Sequence, residues 1–333
     1  MNLFETIAKN LAEQIRDGQI PVGAKLPSLR QIIAQYGVRQ STVFRASYLL
    51  EQWGLVRAEE RAGYFVTPGA VVDEGASADE TSAEPKKVDI SDLVFSVLES
   101  TRHPDIVPLG SVFPSPTLFP SARLLKSPVS GTRSLSPWRT VEDLPGSDEL
   151  RQQIRLRYVG TGFSVASEEI IVTNGALEAL SLCLMAVTRP GDVLAVESPG
   201  FYAALQAIER LDLRAVEIPA DPASGLDLDA LRSALDQHPI RACWFMPNFQ
   251  NPTGTSLSVD KKRALVNMLG ERQIPLIEDD VYQEIHFSRD RPLPAKAFDT
   301  QGLVMHCSSF SKTLAPGYRI GWVAAGRFID KVR

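Results

Sequence analysis

The sequence predicts a multidomain protein: an amino-terminal winged helix-turn-helix, then a larger α/β domain built on a mainly parallel sheet. Three observations carry this. Two short helical patterns joined at Gly37 and followed by two brief β-type runs fill the first seventy residues. From Ile170 onward, short apolar runs alternate with helical stretches, the pattern of strands buried on both faces. Between these regions, residues 71–88 are small and charged without an apolar period, so they read as a flexible linker with a reach of about 25 Å. The predicted boundaries are 1–70, 71–88 and 89–333.

In the first module, Leu3, Ile7, Leu11 and Ile15 recur every four residues and Gly18 follows as a stop, which predicts an amphipathic helix. Ser28 with Gln31 three residues later has the form of a capping box, opening a second helix toward Tyr36. A third helix carries Val43, Ala46, Leu50 and Trp53 on one face, leaving Gln40, Ser41, Phe44 and Arg45 free near its start. Leu55 to Ala58 and Tyr64 to Val66 then read as the two strands of a wing. Residues 1–70 hold eight basic and six acidic side chains. So modest a positive charge favours binding as a dimer, in which two modules share the phosphate contacts.

In the large region, a helix with Leu93, Val94, Val97 and Leu98 precedes a Pro-rich entry, and another begins near Leu144 to Arg151. Predicted buried strands are 170–173, 193–196, 215–218, 242–246, 275–278 and 304–307. Ligands of such sheets sit at the carboxyl ends of the strands, and the residues with chemical promise fall there.

Composition narrows the class. At 333 residues and 44% hydrophobic content the chain can bury more than one core. Its longest apolar stretch is too short to span a bilayer, and no basic-then-apolar leader opens it, so a cytoplasmic protein without a membrane partner is expected. Cys183, Cys243 and Cys307 are widely spaced in apolar sequence, as buried thiols are. The four histidines have no metal-ligand spacing, and no structural metal is expected. The net charge of −5 excludes a chain coated in nucleic acid but not a local basic face.

The segment Ser308 to Trp322 places Lys312 among hydroxyls, a turn and Arg319. A lysine held partly neutral attacks an aldehyde, while Ser309 and Arg319 suit a phosphoryl group beside it. The cofactor so implied is pyridoxal 5′-phosphate. Thr173-Asn174-Gly175-Ala176 lies where a strand gives way to a helix, so the amides of Gly175 and Ala176 suit phosphate. Ile277 to Tyr282 puts two carboxylates, Asp279 and Asp280, at the end of an apolar strand. Adjacent side chains there point opposite ways, and the sequence does not orient them.

The order and spacing of these segments with Asn251-Pro252-Thr253-Gly254 resemble the fold-type I pyridoxal phosphate enzymes of the aspartate aminotransferase superfamily. The resemblance implies that Lys312 forms the aldimine and that Asp279, favoured over Asp280 by its Asp-x-x-Tyr spacing, holds the pyridine nitrogen. It further implies that Asn251 and Tyr282 bind the phenolic oxygen, that Phe201 stacks on the ring, and that Ser309 and Arg319 hold phosphate. Two departures stand out. Val141 occupies the position where the superfamily has a tyrosine, and the sequence stops before the small domain whose arginine clamps a substrate carboxylate. The expectation is either a truncated product or lost substrate recognition.

Residues 3–68, with Leu26-Pro27-Ser28-Leu29-Arg30, Thr42-Val43 and Gly63-Tyr64-Phe65-Val66, resemble the GntR family of bacterial regulators. That resemblance implies DNA contacts by Arg30, Gln40, Thr42 and Gly63, with Arg39, Ser41 and Arg45 along the same helix. Most relatives have a small polar residue followed by arginine where this chain has Arg39-Gln40. The two modules together resemble the MocR subfamily. This implies a homodimeric transcription factor that binds a double-stranded operator and senses pyridoxal phosphate, or an amino acid or amine, through Lys312. An active aminotransferase with an accessory DNA-binding domain is the alternative, and a DNA-binding protein with an empty large domain is a third.

Overall fold

A computed structural model describes residues 3–59, 63–67, 84–100, 106–107, 112, 114–126 and 145–333. The chain divides into two compact units, Met1–Glu80 and Thr81–Arg333.

The first unit packs α1 (Leu3–Arg16), α2 (Leu29–Tyr36) and α3 (Gln40–Gln52) around one core, closed by the wing strands β1 (Val56–Glu59) and β2 (Gly63–Val66). The four-residue repeat of α1 fills that core with Ile7, Leu11 and Ile15, against Val43, Ala46 and Leu50 of α3. The capping box forms: Ser28 Oγ accepts the Gln31 N–H at 3.3 Å and Gln31 Oε1 accepts the Ser28 N–H at 2.7 Å. Gly37 ends α2 at φ 63°, a left-handed conformation that glycine adopts without Cβ strain. One expectation is corrected here. Trp53 does not join the core face of α3; it caps the helix and stays exposed, since burying its indole would leave the N–H unpaired.

In the second unit, β3 (Lys86–Lys87), α4 (Ser91–Ser100) and the short α5 (Ser121–Leu124) precede α6 (Asp148–Val159) and β4 (Ile170–Thr173). Then follow α7 (Ala176–Val187), β5 (Val193–Ser198), α8 (Tyr202–Arg210), β6 (Arg214–Asp221), β7 (Gly225–Leu226) and α9 (Leu228–Gln237). The order ends with β8 (Ile240–Phe245), α10 (Val259–Glu271), β9 (Leu276–Asp279), β10 (Val304–Ser309), β11 (Gly321–Ala324) and α11 (Ile329–Val332). The sheet runs β3-β6-β5-β8-β9-β10-β11-β4, with β7 beside β6. Strands β6, β5, β8, β9 and β10 are mutually parallel, whereas β11 lies antiparallel to both β10 and β4.

Most of the predicted linker lies outside the described residues. Its last part is not a tether: Lys86 and Lys87 pair with Ala215 and Arg214 at the sheet edge, and Val88 packs on the core. Two lysines suit an edge strand, where their charges discourage pairing with another chain.

Alternation along the central strands builds one core on each face. Leu194, Val196, Trp244, Ile277, Met305 and Cys307 pack beneath α7, while Val193, Ala195, Phe245, Leu276 and Val304 pack beneath α9 and α10. Among the described residues no helix is long and apolar enough to cross a membrane.

Candidate functional site

The period of two in β9 orients the carboxylates. Asp279 follows Ile277 onto the α7 face and pairs in register with Cys307, so Asp280 leaves the strand on the other side. Both are buried. Asp280 is fully engaged. Trp322 Nε1, which can only donate, bonds the Tyr158 hydroxyl at 2.9 Å, and that hydroxyl meets His306 Nδ1 at 2.8 Å. At its other ring nitrogen, Nε2, His306 lies 3.0 Å from Asp280 Oδ2; a carboxylate only accepts, so Nε2 carries a proton there and, in the neutral ring, Nδ1 accepts from the Tyr158 hydroxyl. Asn248 Nδ2 donates to the same carboxylate at 3.2–3.3 Å, and Lys262 Nζ donates to Asn248 Oδ1 at 2.5 Å. Glu278, the third member of the cluster with Asp280 and His306, accepts the N–H groups of Ala295 and Lys296. Each of these groups has a partner within the protein.

Asp279 stands differently. Its Oδ1 is buried and makes no hydrogen bond of good geometry, and neither does Trp244 Nε1, although that indole N–H lies near enough to hold the carboxyl down slightly. Burial pushes the Asp279 carboxyl up to about 7, with the Asp280 charge adding to the rise and the Val281 N–H opposing it. A buried oxygen with no donor is costly unless something supplies one. A protonated ring nitrogen would do so.

Lys312 lies in the loop after β10, half-buried, its Nζ 5.8 Å from the Tyr282 ring centroid and 2.6 Å from the Val112 carbonyl oxygen, to which it donates. Burial lowers its pKa and the Asp279 charge works against that. Tyr282 is pushed up to about 12 by burial first and Asp279 second, while a hydrogen bond with Asn251 holds it down. Lys312, Asp279, Tyr282 and Asn251 thus form one electrostatic group. Phe201 lines a cavity of about 20 Å³ with Glu197, Trp244 and Met246, whereas its neighbour Tyr202 is the aromatic coupled to Tyr282.

A second group gathers at the start of α7. Gly175 adopts φ 90°, and a Cβ there would lie 2.4 Å from Arg319 Nη2, so the guanidinium occupies the space a side chain would fill. Gly321 is likewise pressed on the Gly175 backbone. Arg319 reaches Ser311 Oγ and the Asn174 carbonyl, both at 3.5 Å, and Ser309 Oγ accepts the Ser311 N–H at 3.4 Å. The first amides of α7, beginning with Ala176, the positive helix end and a guanidinium can hold a dianion such as phosphate. Gly175→Ala is expected to destabilise the large unit by about 1–3 kcal/mol and to displace Arg319, read by thermal melting and by loss of phosphate-containing ligands.

In the first unit, Arg30, Arg39, Gln40, Ser41 and Arg45 are exposed, while Thr42 and Gly63 are half-buried. Arg39 is the residue before α3 and makes no side-chain cap, so the helix start presents backbone N–H groups. Val141 lies outside the described residues. Trp244, Glu197 and the partners of Asp280 (Tyr158, Asn248, Lys262, His306 and Trp322) were not singled out in the sequence as functional. Trp244 and Glu197 sit inside apolar strands that signal only core, and Lys262 lies in a helix that looks solvated.

The class I and II aminotransferase family model matches residues 122–330, and the bacterial regulatory gntR family model matches residues 3–66. The chain is 45% identical over 334 residues to the HTH-type transcriptional regulator YdcR of Escherichia coli (strain K12), covering all of this chain and 71% of that protein. It is 37% identical over 335 residues to YjiR of the same organism, again covering 71% of it. Among solved structures, a multiple substrate aminotransferase from Thermococcus profundus superposes with a TM-score of 0.64 at 30% identity over 72% of this chain. This chain spans 61% of that structure's length. A buried carboxylate beside a half-buried lysine, on an aminotransferase sheet that shares its chain with a winged helix, belongs to one architecture: the chain is a member of the gntR family of bacterial regulators, in the MocR arrangement that joins this domain to a class I and II aminotransferase domain.

Proposed function

We propose that the protein is a DNA-binding transcription regulator whose large unit holds pyridoxal 5′-phosphate and responds to it or to an amino compound. The observation that carries this reading is the buried Asp279 carboxyl, whose Oδ1 has no well-formed hydrogen bond, in the same electrostatic group as Lys312. Lys312 would hold the cofactor's aldehyde carbon, Asp279 its ring nitrogen, and Asn251 with Tyr282 its phenolic oxygen. Ser309, Arg319 and the amides of Gly175 and Ala176 would hold the phosphate, and Phe201 would flank the ring. When bound, this cofactor supplies an aldehyde for amines and an electron-withdrawing ring. The protein's own contribution is to lower the pKa of Lys312 by burial and to hold the Asp279 carboxyl where a protonated ring nitrogen would favour its charged form.

The domains proposed are 1–70 for DNA, 71–88 as connection and 89–333 for the cofactor, in a homodimer. Exposed Leu93 and Val97, one turn apart on α4, support an apolar contact with a second copy. Regulation requires the ligand to favour one arrangement of the protein over another, since only differential affinity shifts an equilibrium. Affinity of the full chain for a duplex selected from a random library, measured with and without cofactor and with added amines, tests this. A change of about tenfold or more is expected, corresponding to a coupling of about 1.4 kcal/mol. Equal affinities in every condition, together with turnover of an amino donor, would favour an aminotransferase instead.

A further inference from the structure

The face of α3 turned away from the core is not uniformly polar. One turn beyond Gln40 and Ser41 stands Phe44, 44% exposed, and one turn further Tyr48, 60% exposed. The neighbouring Arg45 guanidinium rests 4.9 Å over the Phe4 ring of α1. Phe4, Phe44, Arg45, Tyr48 and Leu49 together line a concavity of about 460 Å³. With Arg45 held over α1, the large side chain on the second turn of the reading face is a phenyl ring.

An aromatic ring on that turn has a distinct partner in the major groove. The edges of guanine, adenine and cytosine present only hydrogen-bonding groups there, whereas thymine adds an apolar C5-methyl group. The amino-terminal turns of a recognition helix are the part that meets base edges. Gln40 and Ser41, exposed on the first turn, continue the same surface toward hydrogen-bonding edges. We propose that Phe44 is a specificity-determining residue that reads the methyl group of a thymine in each half-site, an inference that rests on the DNA-binding reading above.

The test uses the full chain. Duplexes are selected from a random library with the wild type, and each thymine of the best duplex is replaced singly by uracil, which removes only the methyl group. Binding is then measured for wild type, Phe44→Ala and Phe44→Leu. One thymine per half-site should lose about fourfold in wild-type affinity on demethylation, the effect of burying one methyl group. Phe44→Leu should keep that sensitivity and Phe44→Ala should lose it. If no thymine responds, or if demethylation weakens wild type and Phe44→Ala alike, Phe44 reads no methyl group. Loss of self-association in Phe44→Ala without any methyl effect would make this face a protein contact and overturn the inference. Failure of the wild type to enrich any duplex would instead remove the DNA-binding reading, and the inference with it.

Discussion

A Lys312→Ala protein is expected to lose covalent attachment of pyridoxal phosphate completely while melting within about 1 kcal/mol of the wild type. Among the described residues, burial lowers the pKa of three lysines: Lys262, Lys296 and Lys312. Lys262 Nζ is committed to Asn248 and the Leu293 carbonyl, and Lys296 Nζ to the Val304 carbonyl, both inside the protein. Lys312 alone of these three is only half-buried and feels the Asp279 charge as its opposing influence. Reduction with borohydride after incubation with cofactor, followed by peptide mass mapping, reads the outcome. The wild type should carry the pyridoxyl mass on the peptide containing Lys312. Lys312→Arg, which keeps the charge but not the nucleophile, should lose it as fully as the alanine variant. An adduct of undiminished yield at Lys262 or Lys296 in the alanine variant would refute the assignment.

Asp279→Asn is expected to move two quantities in opposite directions. In the cofactor-free protein the carboxyl rises from an ordinary 3.8 to about 7, so the folded state keeps its proton over a range where the unfolded chain has lost it. Folded protein therefore binds more protons between about pH 4 and 7, and its stability falls as pH rises through that window. The full rise corresponds to about 4 kcal/mol at pH 8. Asparagine removes the titration, so the cofactor-free variant should be the more stable protein at pH 8 and gain nothing below about pH 4. Cofactor affinity should fall at the same time, by about 2–5 kcal/mol, because a neutral amide cannot pair a protonated ring nitrogen as a buried carboxylate does. Chemical denaturation across pH and a cofactor titration measure the two. A variant less stable at pH 8 and unchanged in affinity would make Asp279 a structural residue.

Much of this was legible before any coordinates. The four-residue repeat of α1, the Ser28–Gln31 cap and the apolar runs of β5, β8 and β10 report local physics, which a sequence displays directly. The orientation of Asp279 was not legible, because it depends on which face of β9 is covered by α7 and on the network that occupies Asp280. Tyr158, Asn248, Lys262, His306 and Trp322 come from five separate places in the chain, and no spacing rule connects them. The edge pairing of Lys86 and Lys87 was hidden for the same reason: two lysines look like a tether until Arg214 and Ala215 are beside them. Phe44 was visible as an unburied residue near the start of α3, but the sideways course of Arg45 that leaves it foremost was not.

The place of β4 in the sheet carries a consequence in time. Its pairing partner is β11, Thr173 lying opposite Gly321 across nearly 150 residues of intervening chain. Loop closure over such a distance is slow, and a chain emerging from the ribosome has no β11 to offer until the rest of the sheet has been made. At roughly 5–20 residues per second, β4 and the turn at Gly175 wait on the order of ten seconds or more for their neighbour. The first unit, whose contacts are all local, is finished long before. Each new molecule therefore passes through an interval in which the winged-helix unit is complete and the β4–β11 edge beside Gly175 is not, so on the proposed reading the nucleic-acid module would be folded before the ligand site could influence it.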